Sequence, residues 1–165
     1  MTDCPCGSQL EYIVCCQPYL ADEKIPATPE ALMRSRYTAY TKANIDYIKK
    51  TMRGKAAVGF NEMEALRWSR RVVWITLDVM NVSQDNETAF VEFIATFVDG
   101  PHLKSIHERS EFVYEHNHWC YVDGFQIPSV SGIEKPVVTR NGRCPCGGGG
   151  TFKNCHGKMK KSYAT

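Results

Sequence analysis

The stretch CPCGSQLEYIVCC at residues 4–16 returns at residues 144–156 as CPCGGGGTFKNCH. Each thiol-bearing position recurs after a shift of 140: Cys4 and Cys144, Cys6 and Cys146, Cys15 and Cys155, with Cys16 answered by His156. Two adjacent donors after an eight-residue spacer from a C-x-C turn form a four-ligand set of the kind zinc takes in a tetrahedron. Gly7 and Gly147 follow each C-x-C pair, where a turn around a metal needs unusual backbone angles. Each spacer holds one aromatic at the same register, Tyr12 or Phe152, expected to pack as an apolar cover over the site. Disulfides are the competing reading. They fail on His156, which a metal accepts and a disulfide does not, and on the strain of pairing adjacent cysteines. Two zinc ions per chain are expected, on Cys4, Cys6, Cys15, Cys16 and on Cys144, Cys146, Cys155, His156.

The chain has 165 residues and 43% hydrophobic content, enough for one packed domain with small appendages. No apolar run reaches the roughly 18 residues of a membrane span, and MTDCPCGSQL has neither the basic flank nor the apolar stretch of a signal peptide. No membrane insertion is expected. A cytoplasmic location follows, where reduced cysteine clusters bind metal more often than they pair. The formal net charge of +2 names no partner, but its distribution is uneven. Residues 1–24 carry Asp3, Glu11, Asp22 and Glu23 against Lys24, whereas residues 141–165 carry Arg143, Lys153, Lys158, Lys160 and Lys161 with no acid. The basic end is expected to meet an acidic partner, with 129–143 as its tether.

Between the clusters the periodicity is that of a domain. ADEKIPATPE (21–30) reads as a linker. Thr28 as N-cap, Pro29 at the first position and Glu30 in the first turn open a helix through ALMRSRYTAYTKA. Asn44 caps a second helix with Ile45, Ile48 and Met52 on one face, and NEMEALRWSRR starts a third at Asn61. The period then changes to two. VVWITLDVMNV (72–82), ETAFVEFIATFV (87–98), SIHERSEFVYE (105–115) and HWCYVDG (118–124) read as four strands joined by short turns. The fold class is α+β, with helices packed on one face of a curved antiparallel sheet.

The two clusters resemble the SEC-C motif, the zinc knuckle at the C-terminus of the translocation motor SecA, which contacts the chaperone SecB and the ribosome. Gln9 stands where the motif has glycine, and Gly148 where it has serine. The order of the middle elements is similar to the cone-shaped nuclear-transport-factor-like (SnoaL-like) fold. LMRSRYTAY, VEFIATF, IHERSEF and WCYVDG resemble the signature segments of the YchJ family of small bacterial proteins. The resemblance implies a knuckle at 1–20, a cone-like domain at 28–127, a linker at 128–141 and a second knuckle at 142–160. It implies no established activity.

Cone folds enclose pockets, and the candidate lining residues are Arg34, Arg36, Tyr37, Tyr40, Glu108 and Asp123. Glu108 alternates onto the apolar face of its strand with Ile106, Ser110 and Phe112, so its carboxylate needs a partner. A structural ion pair with Arg34 or Arg36 is the expected answer. His107 falls on the opposite face with Arg109 and Glu111. Cys120, left over by the two clusters, reads as a buried inert thiol among Trp119, Tyr121 and Val122. No nucleotide motif and no Ser/His/Asp arrangement can be read, so no catalytic residue is assigned. The leading reading is an adaptor whose knuckles bind a protein or the ribosome; the alternative is a small-molecule binder or enzyme using the cone. An open polar interior holding Glu108 and an arginine favours the second; an interior filled by aromatics favours the first. Nucleic-acid binding through the basic C-terminus ranks last, because stacked aromatics are missing there.

Overall fold

The computed structural model describes residues 2–128 and 136–158. Five helices precede a four-stranded sheet: α1 Gln17–Leu20, α2 Pro29–Thr41, α3 Ile45–Lys50, α4 Gly54–Val58, α5 Glu62–Arg71, then β1 Val73–Gln84, β2 Thr88–Asp99, β3 His102–Glu115 and β4 His118–Gln126. All three expected caps are made. Thr28 Oγ1 accepts from the Ala31 amide at 3.1 Å, Asn44 Oδ1 from Tyr47 at 3.1 Å, and Asn61 Oδ1 from Glu64 at 3.1 Å. Helix α4 has no side-chain cap and no buried residue, so neither caps nor periodicity announced it.

The sheet is an antiparallel meander, β1-β2-β3-β4. Register shifts leave Ile75 and Met80 of β1 and Val122 of β4 as extra residues, bulges that bend the sheet around the helices. The β3–β4 turn has His116 and Asn117 both at positive φ, as a two-residue hairpin turn requires. Beyond β4, the Thr51–Arg53 segment closes the edge: the Tyr121 amide donates to Thr51 O at 2.9 Å, and the Arg53 amide to Tyr121 O at 2.8 Å.

On the inner face Ala89, Val91, Phe93, Ala95 and Phe97 of β2 are buried with Trp74, Phe112 and Trp119 against Leu32, Met33 and Tyr37 of α2. The same cluster contains Cys4, Cys6 and Cys16. A smaller cluster lies on the outer face: Val73, Ile75 and Val98, covered by Leu103, Val138, Cys146 and Phe152. The two knuckles therefore clasp opposite faces of β1. The expected tether at 129–143 is pinned at its far end, where Leu103 donates to Pro136 O at 2.9 Å and Val138 to Pro101 O at 2.7 Å. Residues 129–135, with Gly132, and the lysines at 160 and 161 lie outside the described residues.

Candidate metal centres and the cone cavity

The two knuckles repeat in their hydrogen bonds. The Cys4 amide donates to Leu10 O and the Cys144 amide to Gly150 O, both at 2.8 Å. Bridges Asp3–Glu11 and Arg143–Thr151 form the same small hairpin. Gly7 and Gly147 share φ values of 74° and 76°. Gln9 and Gly149 are both left-handed as well, at 63° and 77°. The departure at Gln9 thus keeps the backbone that glycine would adopt freely, at a conformational cost.

In each knuckle all four donor atoms lie within 4.8 Å of one another. Cys6 and Cys15 sulfurs are 3.6 Å apart, Cys15 and Cys16 3.8 Å, and Cys146 and Cys155 3.6 Å. A tetrahedron with zinc–sulfur bonds of about 2.3 Å has edges of about 3.8 Å, so the spacing fits the ion. His156 presents Nδ1 at 3.3 Å from the Cys144 sulfur and 3.2 Å from that of Cys155. The Ile75 backbone of β1 lies beside the same imidazole, in the place of the outer partner that orients a metal-bound histidine.

Proton sharing within the first set is uneven. Hydrogen bonds from Cys16 and Cys4 hold the Cys6 thiol far below its usual range, whereas burial pushes Cys15 up to about 11. Such a set holds protons that a divalent cation displaces, so occupancy must fall in acid. Ser8 Oγ lies 3.1 Å from the Cys15 sulfur. Its counterpart in the second knuckle is Gly148, which has no hydroxyl to offer.

The embedding of the knuckles differs more than their cages. Cys4, Cys6 and Cys16 are 5%, 0% and 1% exposed. Arg34 does not reach Glu108. Its Nη1 donates to Cys6 O at 2.7 Å and its Nε pairs with Glu30 at 2.8 Å, so it fastens the first knuckle to α2. The Cys4 sulfur lies 3.8 Å from Thr38 Oγ1, and a Cβ on Gly7 would meet Leu77 O of β1 at 3.1 Å. Tyr12 does pack beside the site, and Lys42 Nζ covers its ring at 4.0 Å. In the second knuckle only Cys144 is buried, while Cys146, Cys155 and His156 are partly exposed.

Under α2 lies a cavity of about 550 Å³, walled by the inner sheet face and the α4–α5 segment. Of the candidate lining residues, Arg36, Tyr37, Tyr40, Glu108 and Asp123 border it and Arg34 does not. The expected ion pair at Glu108 is absent among the described residues. Its Oε1 accepts from Ser110 Oγ at 2.7 Å and from the Tyr121 hydroxyl at 3.3 Å, and its Oε2 from Gln126 Nε2 at 2.9 Å. Neutral donors seat this carboxylate. Gly124 makes the seat possible, since a Cβ there would come within 2.6 Å of Oε1. Arg36 donates from Nη1 to Ile48 O at 2.9 Å and Thr51 Oγ1 at 2.6 Å, and lies 4.5 Å over the Tyr121 ring. Burial pulls its guanidinium below the ordinary arginine range. Asp123 sits at the rim, 3.2 Å from Lys55, whose hydrogen bond lowers its pKa.

At the other end Trp68 and Trp74 meet edge to face at 4.9 Å, with Phe97 5.6 Å from each. Trp68, missed from the sequence, had a signal: it shares the inner face of α5 with Ala65. His107 takes no part. It lies 2.8 Å from Glu92 on the outer face. Cys120 is fully buried, and burial raises its thiol pKa.

The comparisons with known proteins agree with this architecture. Residues 28–124 match the family model described as YchJ, middle NTF2-like domain. A UPF0225 protein of Serratia proteamaculans is 40% identical over 166 residues, covering 94% of this chain and 97% of that one. The chain belongs to the YchJ family. Two solved structures are similar to this YchJ protein. The solution structure of a SEC-C motif containing protein from Rhodopseudomonas palustris has a TM-score of 0.71 and 36% identity, over 77% of this chain and 100% of the other. The crystal structure of a SEC-C motif containing protein from Psychrobacter arcticus has a TM-score of 0.65 and 30% identity, over 94% and 95% of the two chains. The YchJ chain thus joins an NTF2-like cone to two SEC-C cysteine clusters that can each hold a metal ion. No helix among the described residues is long and apolar enough to cross a membrane.

Proposed function

We propose that this YchJ protein is a cytoplasmic small-molecule-binding protein whose ligand sits in the cone cavity, with zinc in both knuckles as structural staples. The cavity carries the reading: about 550 Å³, holding Glu108 and Arg36 without an ion pair between them, beside an aromatic wall. A purely structural interior would close on itself, because empty space forfeits the packing contacts of its lining. Pockets of this size with few placed polar groups are characteristic of ligand sites. The test is a fragment screen on the full chain by two-dimensional NMR. Hits should shift the Trp74 indole, Ile106 and Tyr121 signals together. A screen whose hits all fall outside the cavity contradicts the proposal.

An adaptor role has one observation of its own. The second knuckle leaves Gly147–Gly150 exposed, and Arg140, Lys153 and Lys158 surround a hollow beside it. These cations suit an acidic protein surface or the ribosome. Such exposed charges are screened within about 8 Å at physiological salt, so that contact must weaken as salt rises. Cosedimentation with ribosomes at two salt concentrations, with a Lys153→Glu/Lys158→Glu variant, tests it. Loss of sedimentation in the variant supports it, and unchanged sedimentation refutes it.

A further inference from the structure

One corner of the cavity holds donors that the protein leaves unused. Arg36 and Tyr40 lie one turn apart on α2, so they share a side of the helix, and both line the cavity. Arg36 is 5% exposed. Its Nη1 donates to Ile48 O and Thr51 Oγ1 at the end of α3, and its guanidinium lies over the Tyr121 ring. Among the described residues its Nε and Nη2 donate to no acceptor, and the Tyr40 hydroxyl has no partner. These groups are not sealed in. The described side-chain nitrogens and oxygens that are both buried and unpartnered are Trp74 Nε1 and Thr151 Oγ1. The free donors of Arg36 and Tyr40 therefore keep accessible surface, and the open space beside both is the cavity. Burial lifts the Tyr40 hydroxyl above its ordinary pKa, so it stays protonated and able to donate at neutral pH. Tyr40 also adjoins the apolar wall, its ring 5.7 Å from that of Trp68 and 6.1 Å from that of Trp74.

We infer that the cavity takes an aromatic monocarboxylate, its carboxylate accepting from Arg36 and Tyr40 and its ring lying against Trp68, Trp74 and Phe93. This rests on the cavity being a ligand site. A guanidinium with free N–H groups on two of its nitrogens matches the two oxygens of a carboxylate, in charge-assisted hydrogen bonds. The apolar wall begins beside Tyr40, so a carboxylate seated there carries its body onto the rings of that wall. Those rings meet one another at edges and faces, a surface that suits a planar guest. Charge limits the head to one carboxylate. Around the cavity Glu64, Glu108 and Asp123 outnumber Arg36 and Lys55, and Lys55 is paired with Asp123. A phosphate or a dicarboxylate would bring a second negative charge with no cation to meet it. An amine would leave the donors of Arg36 and Tyr40 without an acceptor.

The probe is 3-phenylpropionate, titrated into the full zinc-loaded chain. Nitrogen-15 NMR follows the Arg36 Nε–H and the Trp68 indole N–H. Both signals should move saturably, the Arg36 proton downfield as it gains an acceptor. Three relatives keep the ring and change the head: 3-phenylpropionamide is neutral, 3-phenylpropylamine is a cation and 2-benzylsuccinate is a dianion. Each should bind about tenfold more weakly, the margin of a charge-assisted contact over a neutral or mismatched one. Arg36→Gln would also strip the end of α3 of a donor, so Tyr40→Phe, which keeps the ring, is the variant. It should narrow the margin of the acid over the amide severalfold. Equal or tighter binding of any of the three relatives overturns the inference. So does an acid that moves Trp68 and leaves Arg36 unmoved, or an unchanged margin in Tyr40→Phe. Each of these outcomes leaves the ligand-site reading standing. Should no compound of any class enter the cavity, both fall together.

Discussion

The two knuckles share ligand spacing, hairpin bridges and backbone angles, yet they stand in different relations to the rest of the molecule. The first places three of its four sulfurs inside the main core, between α2 and β1, and is fastened by Arg34 to the Cys6 carbonyl. The second lies on the outer face of the sheet, covers Val73, Ile75 and Val98, and keeps three of its four ligands partly exposed. Two similar donor clusters, one of four cysteines and one of three cysteines and a histidine, therefore serve two packing purposes. The first cluster is built into the core; the second clamps the outer face of the sheet. Position in the core, not the cage, decides what loss of each ion does.

Removing one ligand from each knuckle should expose the largest difference. Cys6→Ser weakens zinc binding at a site whose free energy is coupled to folding of the whole core. Cys146→Ser should release one small outer cluster, about 2 kcal/mol of apolar burial. Near-ultraviolet circular dichroism should show lost tertiary packing for the first and a retained signal with a lower denaturant midpoint for the second. Equal losses would erase the distinction.

Acid should separate the sites next. Burial holds the His156 imidazole below its ordinary 6.5, so the folded knuckle resists a proton that the unfolded segment accepts. Stability held by a histidine that is harder to protonate when folded falls as pH drops through 6.5 and below, and coordination to a metal would make the loss steeper. The second knuckle should release its ion at a higher pH than the first, as native mass spectrometry can follow. Release of both at one pH would contradict this.

Glycine offers a finer contrast. Gly7 and Gly147 are equally left-handed, but a Cβ meets Leu77 O at 3.1 Å in the first and nothing within 4 Å in the second. Gly7→Ala should destabilise by about 2 kcal/mol and Gly147→Ala by about 1 kcal/mol, the latter for the left-handed backbone alone. Chemical denaturation of both variants with zinc present measures the gap. The smallest expected effect has the opposite sign: Gln9→Gly should stabilise by about 0.5 kcal/mol, because glycine adopts φ 63° without strain. A loss of stability would mean that the Gln9 side chain makes a compensating contact.

What the sequence revealed was local. Repetition at a fixed shift exposed all eight side chains that the fold gathers into two four-donor clusters, and Thr28, Asn44 and Asn61 announced their helices because capping involves residues only three apart. Strand alternation placed Glu108 inside and His107 outside. What stayed hidden was long-range. Arg34 and Arg36 lie two residues apart on one helix and point in very different directions, so composition could not say which faces the cavity. The neutral seat of Glu108 needs Ser110, Tyr121, Gln126 and the bare backbone of Gly124, gathered from two strands. The division at residue 28 follows the break in periodicity at the linker, and nothing in the local pattern tells that Cys4, Cys6 and Cys16 pack beyond it.

That packing is most directly tested by stepwise chelation of the full chain, followed by amide NMR and native mass spectrometry together. The first ion lost should be the C-terminal one, with changes around Ile75 and Phe152 and an intact, dispersed spectrum for the cone. Loss of the second ion should abolish dispersion in α2, β1 and β2. A cone that stays folded and dispersed after both ions are gone would contradict the account, and would make the first knuckle an appendage like the second.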